Sequence, residues 1–125
     1  GATLIGTNDD ATYPTSSGVI PGGGSILAAI ATASGVAPII AGKPFAPMGE
    51  LVRRALNTHD LSSCWMVGDR YSTDGVFAKT IGAKFALASS GVIDRAGANT
   101  LQSEHKFELV VEDLAGLAKH LGIAI

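Results

Sequence analysis

Apolar residues fall along this chain in short runs separated by glycine, proline and small polar residues, and the spacing inside each run predicts an element. ATLIGT, residues 2 to 7, reads as a strand, and residues 8 to 24, rich in Asp, Ser, Pro and Gly, read as a long loop. GSILAAIATASG predicts a helix capped near Ser25 and stopped at Gly35, and APIIAGKP a strand ending at Lys43. Met48, Leu51, Val52, Ala55 and Leu56 recur at helical spacing, which predicts a helix over residues 47 to 57. CWMVGD is a continuous apolar run, the pattern of a strand buried on both faces. Then come a helix near residues 73 to 81 stopped by Gly82, a strand KFALASSG, a short strand FELVV, and a helix carrying Leu114, Leu117, Ala118 and Leu121. The polar stretch 94 to 106 reads as a connection. Strands alternating with helices of this length predict an α/β fold, a parallel sheet with helices on both faces, whose ligands bind beyond the carboxyl ends of the strands.

Composition narrows the functional classes. With 125 residues, 46% hydrophobic, 16% charged and a net charge of −2, the chain suits one domain with a real core and gives no reason to expect a nucleic-acid partner. The longest apolar stretches, residues 26 to 33 and 35 to 41, fall far short of the ~20 residues of a membrane span. No charged segment leads into an apolar run near residue 1 as it does in a secretory leader, and the single cysteine, Cys64, excludes an internal disulfide; together these predict a cytoplasmic protein.

Chemistry concentrates where strands end. Lys43 and Asp69 each follow a predicted strand immediately and so open onto the same edge of the sheet. A magnesium ion is commonly held by one or two carboxylates, waters and a substrate phosphate, and an ammonium nearby neutralises further phosphate charge. Asp74, with Thr73, falls at the start of the next helix, where its carboxylate either supports such a site or, with Thr73 as N-cap, merely complements the helix dipole. On spacing alone both readings stay open.

The order TNDDATYP, GVIPGGGSI, AGKPFAP, VGDRYSTDGVFAKTIGAK resembles the haloacid dehalogenase (HAD) superfamily, specifically its type IIA sugar-phosphate and aryl-phosphate phosphatases. The likeness runs from about residue 2 to residue 93. It implies a Rossmann-like core in which Lys43 steadies the phosphoryl group, Asp69 is a Mg2+ ligand and Asp74 its supporting carboxylate. It also implies that residues 1–24 are the end of the family's cap and a return loop, and residues 25–125 the C-terminal part of the core, with the first core strands and most of the cap missing. Tyr13 then lies in the substrate-specificity loop, and the partner is a phosphorylated small molecule. Asn8 is a further candidate substrate contact, and Arg70, beside the proposed metal site, either touches substrate or belongs to a solvated loop.

The nucleophile is a different matter. Family members attack phosphate with the first aspartate of a D-x-D-G-T motif and form an aspartyl-phosphate, and this chain contains no such motif. Asn8, Asp10 and Thr12 have its spacing, but an amide is a poor nucleophile, and Asp9 and Asp10 also suit ordinary turn chemistry. The expectation is a HAD-like hydrolase fragment that positions and neutralises phosphate without a covalent step, with a non-catalytic phosphate- or partner-binding module as the alternative. PGGGSI reads as a flexible return rather than an anion loop, His59, His105 and His120 as surface residues, and Cys64 and Trp65 as core. A sheet lacking its central strand leaves an edge uncovered, which predicts self-association.

Overall fold

The computed structural model describes residues 1–124. Its centre is a parallel three-stranded sheet, β5 (Trp65–Gly68), β6 (Lys84–Ala88) and β7 (Leu109–Val111), in the order β5-β6-β7. Period-two alternation divides its side chains between two layers. Phe85, Leu87 and Val110 pack with Ala78 of α3 (Val76–Ile81) and Ala98 of α4 (Arg95–His105), while Ala86 and Val111 pack on the opposite face with Leu117 of α5 (Leu114–His120). Leu61, Phe77 and Ile81 form a third cluster under Met48 and Val52 of α2 (Ala46–Leu56). Helices on both faces of a parallel sheet are what the alternating pattern predicts.

A smaller unit precedes it. β1 (Ile5–Gly6) runs parallel to β4 (Ile39–Ile40), with β2 (Thr12–Thr15), β3 (Gly18–Pro21) and α1 (Gly23–Ser34) between them in sequence. α1 packs on β1 and on the β2–β3 hairpin. β4 and β5 do not pair, so among the described residues each has an open edge.

Several expectations change. The expected loop 8 to 24 contains the hairpin, registered Tyr13 to Ile20 and Thr15 to Gly18. Its turn, Ser16–Ser17, lacks the Asn-Gly signal of short hairpins; Thr15 Oγ1 fastens it by donating to the Gly18 carbonyl at 2.8 Å. α1 begins two residues before Ser25, with Gly22 at its cap, and the Ser25 hydroxyl instead donates to the Ala11 carbonyl at 2.6 Å. Residues 95 to 105 of the expected connection are α4, started by Asp94, whose carboxylate accepts the Gly97 N–H at 2.8 Å. Ala98, wholly buried, supplies the apolar contact that the polar stretch hides. β5 is half-buried along its length rather than covered on both faces, because among the described residues β6 is its sole strand neighbour. In α2, Met48 and Val52 face the core, whereas Leu51 and Leu56 are exposed.

Candidate active site

β1, β4 and β5 all end at one cleft of about 320 Å³, lined by Asn8, Asp10, Lys43, Asp69, Arg70 and Asp74 among others. Five of the six residues singled out from sequence therefore meet; Tyr13 does not line it, but sits in β2 opposite Ile20 with 63% of its surface exposed.

Asp74 is the buried charge of the site, 5% exposed. It lies in a π-turn, Tyr71–Gly75, that leads into α3, not at a helix cap. Its Oδ1 accepts from Lys43 Nζ at 2.6 Å and its Oδ2 from the Arg70 N–H at 3.3 Å. Thr73 is not an N-cap either: its hydroxyl donates back to the Arg70 carbonyl at 3.4 Å. The carboxylate lies so close to Gly68 that a methyl group there would stand 2.2 Å from Asp74 Oδ2, which explains why β5 ends in glycine. A buried carboxylate needs a cation or donors, and here it has both. The reading in which Asp74 only complements a helix dipole gives way to an ion pair across the cleft.

Asp69 is oriented from another direction. Its Oδ2 accepts the Val92 N–H at 3.2 Å, and Gly91 leaves room for it, since a methyl there would stand 2.3 Å from the same oxygen. Sequence reasoning missed this brace; the signal was the glycine that closes KFALASSG. On the opposite wall Asn8 Oδ1 accepts the Asp10 N–H at 3.2 Å, an Asx turn, and Asp10 Oδ1 stands 3.8 Å from Arg70 Nη1. The amides of Gly22 and Gly24 are spent on the carbonyls of Ala11 and Asp10, so PGGGSI is not an anion loop.

Among the described residues no three His, Cys, Asp or Glu side chains cluster as a metal site. Asp74 is committed to Lys43 and to Arg70 N–H, while Asp69 Oδ1 accepts no hydrogen bond among the described residues. That donor set fits one protein ligand of a hard cation that keeps several waters, with further ligands supplied by phosphate or another segment.

The profile of the HAD-hydrolase-like family matches residues 40–117. The chain belongs to the haloacid dehalogenase superfamily, and it is similar to type IIA phosphatases of that superfamily. The 5'-nucleotidase YutF of Bacillus subtilis is 39% identical over 95 residues, covering 76% of this chain and 37% of that protein. The D-glycerol 3-phosphate phosphatase of Mycobacterium tuberculosis is 40% identical over 92 residues, covering 74% of this chain and 25% of the relative. In three dimensions the p-nitrophenyl phosphatase from Archaeoglobus fulgidus superposes with a TM-score of 0.80 at 28% identity, over 94% of this chain and 46% of that one. The chain thus spans less than half the length of each of these HAD-fold relatives. No helix among the described residues is long and apolar enough to cross a membrane.

Proposed function

We propose that this chain is the phosphate-positioning and metal-orienting half of a phosphomonoester phosphatase site, and that the 125-residue chain alone does not turn over. The observation that carries the reading is the Lys43–Asp74 pair, 2.6 Å long, in a cleft shared with Asp69 and Arg70. Asp74 accepts a hydrogen bond from one of the three ammonium N–H groups, which fixes Lys43 at the mouth while its 43% exposure leaves two donors for phosphoryl oxygens. Asp69 is the magnesium ligand, held by Val92 N–H so that its second oxygen stays available. Bound there, the ion neutralises phosphate charge. Arg70 and Asn8 contact the substrate from either wall, and Tyr13 acts from the hairpin outside the cleft. The substrate is a small phosphorylated molecule, by analogy with relatives whose names specify a 5'-nucleotidase and a glycerol 3-phosphate phosphatase.

The nucleophilic aspartate must come from elsewhere, because no D-x-D-G-T occurs in the sequence. The open edges of β4 and β5 and the exposed Ile5 and Ile39 support self-association of the chain. Sedimentation at rising concentration tests that part, and a monomer throughout rejects it. For the chemistry, the purified chain is assayed for magnesium-dependent hydrolysis of an aryl phosphate beside Asp69→Asn. The reading expects no turnover from either. Turnover that disappears in Asp69→Asn would place a nucleophile within this chain, and saturable phosphate binding that no added D-x-D-G-T half converts to turnover would favour the non-catalytic module.

A further inference from the structure

We propose that His105 is a positioning residue: its imidazole, stacked on Tyr71, holds the Asp69–Asp74 turn in the shape the cleft requires. The proposal rests on the phosphatase reading for its purpose, though not for its geometry. Tyr71 opens the π-turn, and its carbonyl accepts the Val76 N–H at the far end. Within that span the Asp74 N–H donates to the Arg70 carbonyl at 2.8 Å and the Arg70 N–H to Asp74 Oδ2 at 3.3 Å. The turn that carries the buried carboxylate is therefore closed around Tyr71.

The Tyr71 ring is held from several sides. His105 lies parallel to it, centroids 4.1 Å apart and planes 9° from parallel. Phe107 stands at 5.7 Å and Phe85 at 6.1 Å. Gly75 presses on its edge so closely that a methyl group there would stand 2.3 Å from Tyr71 Cδ2. His105 is itself well anchored. It ends α4, Lys106 follows in the left-handed conformation at φ 56° with its N–H on the Gln102 carbonyl, and Gln102 Nε2 donates to the Phe107 carbonyl at 3.2 Å. One helix end thus sets both His105 and Phe107 against the ring. Phe85 and Phe107 belong with the buried cluster beneath, whereas His105 is exposed and contributes little to it. What His105 adds is orientation: it closes the solvent side of a ring on which the turn is wound.

The test compares amide hydrogen exchange, read by NMR, in the wild-type chain, His105→Ala, His105→Phe and Asp94→Ala. Loss of an aromatic stack is expected to speed exchange at the Asp74 amide about two- to tenfold in His105→Ala while the Leu87 amide in the buried sheet keeps its rate. His105→Phe, which retains a stacking ring, is expected to restore the Asp74 rate. Asp94→Ala loosens the opposite end of α4 and is expected to leave it unchanged. The proposal is overturned if Asp74 exchanges at the wild-type rate in His105→Ala, if His105→Phe is as fast as the alanine variant, or if Leu87 accelerates equally. Magnesium titration of the Asp69 and Arg70 amide shifts in the wild type checks the metal reading separately, because its failure would leave the exchange result intact.

Discussion

Lys43→Met removes the ammonium from a carboxylate whose side chain is 7% exposed and leaves Asp74 with a single backbone donor, Arg70 N–H. Breaking a fully buried pair costs about 3–5 kcal/mol, whereas a fully exposed pair contributes about 0–1 kcal/mol. Here one partner is buried and the other, at 43% exposure, is screened by water, which places the loss at about 2 kcal/mol. Asp74→Asn strips the partner from a lysine that water can solvate and keeps an amide oxygen to accept its proton, so it costs less, about 1 kcal/mol. Once the carboxylate is an amide, removing Lys43 strands no charge, and the double variant loses about 1.5 kcal/mol rather than the sum. Urea unfolding of the four proteins, with a shared m-value, measures this coupling of about 1.5 kcal/mol. Additivity within about 0.3 kcal/mol would refute the premise that Lys43 and Asp74 act as one unit.

Gly68→Ala drives a methyl group into Asp74 Oδ2, so it is expected to cost about 1–3 kcal/mol in thermal unfolding and to abolish the Lys43–Asp74 coupling; a stability equal to wild type would contradict the close packing seen there. Leu87→Ala empties a fully buried position in the central strand and is expected to cost about 2–5 kcal/mol in the same measurement, whereas a loss below about 1 kcal/mol would mean the core collapses around the gap. The Asp60 carboxyl is held below its ordinary value of 3.8 by the Ser62 backbone N–H and then by its hydroxyl. A depressed folded-state value stabilises the fold above 3.8 and is lost as pH falls through the folded-state value, so the small melting difference between wild type and Asp60→Asn is expected to vanish only in that acid range. A gap independent of pH would remove Asp60 from the account.

Long-period signals carried furthest. Strand and helix alternation located β5, β6, β7, α2 and α5, and the junctions after β4 and β5 located Lys43 and Asp69, because a strand's end determines which residue reaches the cleft. Elements whose stability comes from tertiary contact were hidden. α4 is polar by composition and holds its place through Ala98 and the Asp94 cap, and the hairpin has prolines in both strands and no Asn-Gly or Asp-Gly pair at its turn. Neither the brace from Val92 N–H to Asp69 nor the stack of His105 on Tyr71 has any local pattern, since the partners lie 23 and 34 residues apart in sequence. Tyr13 enters through the resemblance of its segment to the end of the cap, and in the structure it lies on β2, paired with Ile20 and outside the cleft lining.

Reconstitution tests the central claim most directly: the purified chain is mixed with a polypeptide carrying the D-x-D-G-T half of a type IIA relative, and magnesium-dependent hydrolysis of an aryl phosphate is followed. The account predicts turnover in the mixture, none from either component alone, and none when the chain carries Asp69→Asn. A mixture that forms a complex yet stays inactive, or turnover indifferent to Asp69→Asn, would contradict it.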